Sequence, residues 1–192
     1  MTDEIQTARV PGKRIVGLSG NWARPSKTRT LVDAVLVSAQ ARGLGTSELI
    51  DLVDIGPGLR QTTQRDDAPP DVERAIQSLM SADAIVVGSS VYKGAYTGLF
   101  KHFFDLFAID SLEAKPVVLT ATGRSPAHAS IIDYHLRPLF LFFDAAVATR
   151  GLYALPTDFD ESGHLVSACS ARVERAVDEL ARLMQTPGKQ PT

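Results

Sequence analysis

Five short apolar runs recur along this chain with helix-periodic stretches between them, and that alternation limits the folds open to it more than any other feature. The runs cover residues 14–18 (RIVGL), 47–53 (SELIDLV), 84–88 (AIVVG), 115–120 (KPVVLT) and 146–154. In most of them apolar residues follow one another instead of alternating with polar ones. A strand of that kind is covered on both faces, as happens inside a parallel sheet.

Between the runs, apolar residues return at helical spacing. Leu31, Val32, Val35, Leu36 and Ala39 form one stripe, closed by Gly43 and Gly45. Ala75, Ile76, Leu79 and Met80 form another, with Asp71 placed as its N-cap. Leu99, Phe103, Leu106 and Phe107 mark a third, and the stripe from Val166 through Val173, Val177, Leu180 and Met184 an amphipathic closing helix. Residues 54–70, rich in Gly, Pro and Thr, read as an irregular segment bordering a cofactor or a subunit contact. Strands alternating with helices imply a doubly wound α/β sandwich. Right-handed crossovers then favour a five-stranded parallel sheet in the flavodoxin-like order 2-1-3-4-5. One domain over residues 13–186, with flexible tails at 1–12 and 187–192, accounts for the length.

The stretch Ile131, Ile132, Leu136, Leu139, Phe140, Leu141, Phe142 and Phe143 is apolar on nearly every side of a helix. One sheet face cannot cover it all, so a homodimer or homotetramer through the helix around Tyr134–Phe143 is expected. Pro138 inside it lacks an N–H and predicts a kink or a bulge.

Composition narrows the partners. The formal net charge is -2 and no Lys/Arg stripe is interleaved with aromatics, which argues against nucleic acid. Cys169 is the single cysteine, so no intramolecular disulfide forms, and the four histidines show no metal-ligand spacing. Residues 1–10 carry no apolar signal core, and the run 138–143 falls far short of the roughly 20 residues of a membrane span. A soluble, cytoplasmic protein without a membrane partner is the expectation.

In such a sheet, ligands bind beyond the carboxyl ends of the strands, where the winding reverses between the first and third. Three loops meet there: 19–28, 89–97 and 122–126. The first reads SGNWARPSKT, a set of turn formers leading into a helix start. Unpaired N–H groups and the positive dipole end of a helix favour an anion. Ser19, Ser26 and Thr28 add hydroxyl donors and Arg24 a guanidinium that forks onto two oxygens. Neither G-x-x-x-x-G-K-[ST] nor G-x-G-x-x-G is present, so a terminal monophosphate such as that of FMN suits the loop better than a bridging pyrophosphate. A plain N-cap and turn would use the same residues; the other loops have to decide.

The second loop, with Ser90, Val91, Tyr92, Lys93 and Gly94, offers amides and an aromatic wall for an isoalloxazine ring. The third, with Thr122, Gly123 and Arg124, offers N–H groups to the pyrimidine edge, where a reduced flavin gains from nearby donors. Hydride passes directly between nicotinamide and flavin, so no side chain is named as catalytic. Trp22 is either a cover over the cofactor or a loop anchor. Hydrolytic readings lack support: Ser89-Ser90 has no G-x-S-x-G elbow, and His102, His128, His135 and His164 have no evident Ser or Cys partner.

Four segments together resemble a known family: SGNWARPSKT at 19–28, SSVYKGAYTGLFKHFFDLF at 89–107, TGRSPAH at 122–128 and DYHLRPLF at 133–140. The chain is similar to the NAD(P)H-dependent FMN reductases of bacterial two-component monooxygenases, of the alkanesulfonate and methanesulfonate type. The resemblance implies a flavodoxin-like fold, reduction of FMN by NADPH or NADH, and delivery of reduced flavin to a partner monooxygenase that cleaves a carbon–sulfur bond. It also implies Ser19, Arg24, Ser26 and Thr28 as phosphate ligands, Val91, Tyr92 and Lys93 as the loop against the flavin, and Thr122 and Gly123 as the second flavin loop. Tyr134 falls where some members carry an inserted tyrosine and a π-bulge at a tetramer interface. Two positions depart from the pattern: Ser90 replaces a usual proline, and Arg124 a usual second glycine. A quinone or azo-compound reductase that retains FMN, and a flavin-binding protein without reductase activity, are the competing readings.

Overall fold

The computed structural model describes residues 12–185; the expectations for residues 1–11 and for the tail from Pro187 lie outside them. A parallel sheet runs in the order β2-β1-β3-β4-β5. Its strands are β1 at Arg14–Ser19, β2 at Thr46–Asp51, β3 at Ala84–Ser90, β4 at Pro116–Thr122 and β5 at Ala146–Val147. Neighbouring strand residues part to opposite faces. Val16, Leu18, Ile85, Val87, Val117 and Leu119 enter one core, where α2 (Leu52–Leu59), α3 (Pro70–Ser81), α4 (Gly98–Asp105) and α5 (Arg137–Leu141) pack. Ile15, Val86 and Val118 enter the other, under α1 (Lys27–Ala41) and α6 (Ser167–Gln185). The consecutive apolar runs are therefore covered from both sides. Gly17 lets α1 approach β1: a Cβ there would lie 2.6 Å from Leu36 and 2.8 Å from Val32.

Four details differ from the sequence reading. The fifth strand is broken in two, with β5 beside Pro116–Val117 and a further strand, β6 (Leu152–Ala154), beside Thr120–Thr122. Ala148 N still donates to Val117 O (2.8 Å), and other backbone groups between them find side-chain partners. Arg137 donates to the carbonyls of Ala148 and Thr149 at 2.8 Å each, and Glu179 accepts the N–H groups of Thr149 and Arg150.

The segment expected to be irregular from residue 54 begins as a helix, α2, and β2 stops at Asp51. Asp51 caps that helix by accepting from Val53 N, and Leu52, Ile55 and Leu59 are buried at helical spacing. Packing of that face outweighs the Gly-Pro-Gly composition that argued for a loop. The third helix starts earlier than expected, with Pro69 at the cap and Pro70 in the first turn, where a missing N–H costs nothing. Asp71 sits in that first turn and complements the dipole rather than capping it.

The apolar stretch past residue 126 is three pieces. A 3₁₀ turn spans Pro126–Ser130, a π-helical turn Ile132–Leu136, and α5 follows. Arg137 N bonds Ile132 O, five residues back. The disturbance anticipated from Pro138 thus takes the form of a π turn just ahead of it. Ile131, Ile132, Leu136, Phe140 and Phe143 face the core, where Phe104 meets Phe140 edge-to-face at 4.9 Å between ring centroids.

Candidate functional site

Ser19 pairs with Gly88 and Gly88 with Thr120, so β1 stops two residues short of the ends of β3 and β4, at Ser90 and Thr122, and all three carboxyl ends lie on one edge of the sheet. Three loops leave from that edge. In the first, Asn21 is the organiser. Its amide donates to Ala23 O (3.2 Å) and Ser26 Oγ (3.1 Å), while its oxygen accepts from Trp22 N (3.0 Å) and from Ser90 Oγ (3.3 Å). Ser26 caps α1 by accepting from Arg29 N at 3.1 Å. The amides of Lys27 and Thr28 in the first turn have no partner among the described residues. They form the positive end of a 15-residue helix dipole.

In the second loop, Tyr92 and Ala95 exchange both backbone hydrogen bonds, 2.9 and 3.1 Å, around Lys93 and Gly94. Both central residues have positive φ, 50° and 86°, as a tight hairpin turn requires. The turn lifts Tyr92 to the surface, where its ring meets that of Trp22 edge-on at 4.9 Å. An aromatic pair therefore spans the first two loops. Beneath it, Gly20 N donates to Gly88 O (2.7 Å) and Thr97 Oγ1 to Gly20 O (2.8 Å), and Thr97 also caps α4.

The third loop is fixed from two sides. Val91 N donates to Thr122 O (2.8 Å), and Gly123 N to Ala154 O (3.1 Å). Tyr153 Oη donates to Ser125 O (2.7 Å) and packs so closely on Gly123 that a Cβ there would be driven into it. Burial holds the Tyr153 phenol above the usual tyrosine range, so it remains a donor at all ordinary pH. The Thr122 and Thr28 hydroxyls meet at 2.7 Å.

The residues singled out by sequence fall into three situations. Ser26, Thr28, Ser90, Val91, Tyr92, Thr122 and Gly123 sit in this connected loop cluster. Ser19 belongs to the same strand ends but is wholly buried, and its hydroxyl, like that of Thr120, has no partner among the described residues. Lys93 and Arg124 are exposed, without side-chain partners among the described residues. Arg24 is engaged by two carboxylates, Asp51 at 3.2 Å and Asp54 at 2.8 Å, with hydrogen bonding to Asp54 and then Asp51 raising its affinity for the proton. Sequence reasoning missed Asn21, Asp51, Thr97 and Tyr153 as organisers. Asp51 carried a legible signal, an Asp directly before apolar residues at helical spacing; Tyr153 carried none.

Free first-turn amides and orphaned buried hydroxyls in one cluster suit the phosphate of a flavin mononucleotide. A profile of NADPH-dependent FMN reductases matches residues 13–160. The chain belongs to this family. Among its relatives, the NADH-dependent FMN reductase SfnF of Pseudomonas putida is 40% identical over 91% of this chain and 94% of its own. An FMN reductase (NADPH) of Pseudomonas aeruginosa is 38% identical over 88% and 91% of the two chains. The crystal structure of the NADH:FMN oxidoreductase EmoB, in its apo form, superposes with a TM-score of 0.82 at 25% identity, covering 92% of each chain. The family matches the resemblance read from the four segments, and the strand order matches the one derived from crossover handedness.

Proposed function

We propose that this chain takes hydride from NADH or NADPH and passes it to FMN, and that the reduced flavin goes to a separate flavin-dependent monooxygenase of the sulfonate or sulfone type. The observation that carries the reading is the α1 start with its free Lys27 and Thr28 amides, beside the three-loop cluster at the strand ends, in a chain of the FMN reductase family. A single flavin-binding domain covers residues 13–186.

In this reading the amides of Lys27 and Thr28 hold the phosphate. The Ser26 hydroxyl accepts from Arg29 and Asn21, which leaves its own hydrogen to donate. The Thr28–Thr122 pair has one hydrogen to spare in the same way. Ser19 and Arg24 complete the phosphate set. Val91, Tyr92 and Lys93 lie against the ring, with Ser90 holding their loop to Asn21. Gly123 spends its N–H on Ala154, so the donors at the pyrimidine edge, next to Thr122, are the amides of Arg124 and Ser125. Bound FMN supplies an electron-accepting ring, and the protein contributes placement and hydrogen-bond donors rather than a proton-transferring side chain.

The same reading places the protein in the cytoplasm and assembles it as a homodimer or homotetramer through the exposed face of the π turn and α5. No helix among the described residues is long and apolar enough to cross a membrane.

The test is oxidation of NADH and NADPH by the purified protein with and without added FMN, followed by the loss of nicotinamide absorbance. Turnover that depends on FMN supports the reading. No turnover with either donor overturns it, and faster turnover with a quinone than with free FMN moves the assignment to a flavin-retaining reductase.

A further inference from the structure

The carboxylates beside Arg24 carry an inference that rests on the FMN reading above. Arg24 stands in the loop between β1 and α1, and its guanidinium reaches across to the junction of β2 and α2. There it lies 3.2 Å from Asp51 Oδ2 and 2.8 Å from Asp54 Oδ2.

The two acids are not equivalent. The Asp51 side chain is only 2% exposed, caps α2 through Val53 N, and also meets Arg29 Nε at 3.5 Å. Its charge stays compensated by Arg29 if Arg24 moves. The Asp54 side chain is 60% exposed, and among the described residues Arg24 is its one ion-pair partner. It neither caps the helix nor fills the core. Its place in the first turn of α2 complements the dipole, which does not require Arg24.

A phosphate monoester at the start of α1 calls on the same guanidinium. Carboxylate and phosphate both match its planar fork, and Nη2, whose two hydrogens go to Asp51 and Asp54, has none for a phosphate oxygen until one carboxylate lets go. We propose that Asp54 competes with the FMN phosphate for Arg24, lowering the free energy of the flavin-free state and keeping FMN an exchanging substrate instead of a retained cofactor. Affinity depends on the difference between the two states, so a contact made only in the free state weakens binding. A reductase that hands its flavin to another protein needs such a release.

Riboflavin has the same ring system and no phosphate, which makes it the control. Flavin-fluorescence titrations with FMN and with riboflavin are run on the wild type, Asp54→Asn, Asp54→Glu, Arg24→Ala and the Asp54→Asn/Arg24→Ala double variant, each checked for native circular dichroism. Asp54→Asn is expected to tighten FMN binding about three- to fivefold, the scale of an exposed ion pair, and to leave riboflavin unchanged. In the Arg24→Ala background the same substitution is expected to do nothing, and Asp54→Glu is expected to restore wild-type affinity. Equal FMN affinity in wild type and Asp54→Asn overturns the competition while the FMN reading stands. So does tightening that extends to riboflavin or persists without Arg24. No FMN binding by any variant overturns the FMN reading and the competition with it.

Discussion

Gly20 has no room for a side chain. A Cβ there would be driven into the buried Phe100 ring and lie 2.8 Å from the Gly88 carbonyl oxygen. Gly20→Ala is therefore expected to lower stability by about 1–3 kcal/mol, read from urea denaturation, because neither neighbour can retreat without disturbing the core. It should also shift the first loop against the second, since Gly20 ties β1 to β3 and to Thr97. Arg124 makes the opposite kind of prediction. Exposed and without a side-chain partner among the described residues, it is free to meet the phosphates of an incoming nicotinamide dinucleotide. Arg124→Ala is expected to raise KM for the donor about fivefold, with stability unchanged; an unaltered KM in steady-state assays removes it from that role. At this scale, residue type and neighbours along the chain expressed the helix start at Ser26 and a loop around Gly94, though not the tight turn at Lys93-Gly94. They could not express Tyr153 bracing Ser125, a contact between residues 28 apart that exists only once β6 lies beside β4.

Elements were legible where one physical signal dominated. Consecutive apolar residues marked β1, β3 and β4 as strands buried on two faces, and crossover handedness gave the sheet order. The reading failed at α2, where Gly-Pro-Gly composition competed with the helical spacing of Leu52, Ile55 and Leu59, and packing won. It failed again at residues 148–151, where the partners that replace a strand ladder, Arg137 and Glu179, come from α5 and α6. Links between elements also set the response to acid. Arg65 and then Gln77 hold the Glu73 carboxyl below the usual range, joining the turn at 65–67 to α3. Ser38 and then Arg42 do the same for Glu174, joining α1 to α6. A carboxyl whose folded pKa lies below its unfolded value of about 4.3 contributes stability above that value and loses it as pH falls through the folded pKa. Thermal melts are thus expected to show a midpoint that declines as pH drops below about 4.3. Glu73→Gln and Glu174→Gln should each flatten that decline, by less than about 1 kcal/mol because both pairs are largely solvated. A midpoint that holds steady into strong acid contradicts both assignments.

For the whole molecule, the open question is what covers the face that the sheet leaves bare. Tyr134 is 78% exposed, Phe142 61% and Leu141 52%, and all three lie on the π turn and α5 or directly beside it. Scattered apolar residues on a surface need no explanation, but three large ones within eight positions of one buried segment form a patch of the kind that marks a contact. The π turn contributes to this. Within it Ile132 and Leu136 face the core and Tyr134 faces out. A second copy of the chain is the occupant we propose, because a two-fold axis would set the same apolar patch of each protomer against the other. Wild-type protein is accordingly expected to sediment well above its 20.7 kDa protomer mass at micromolar concentration, with a melting midpoint that rises with concentration. Tyr134→Arg combined with Phe142→Glu should return it to the protomer while leaving the circular dichroism native, because neither side chain enters the core. A wild type that runs as a single protomer over the same range removes the interface. FMN-dependent turnover surviving in that protomer would then place the whole reductase site within one chain.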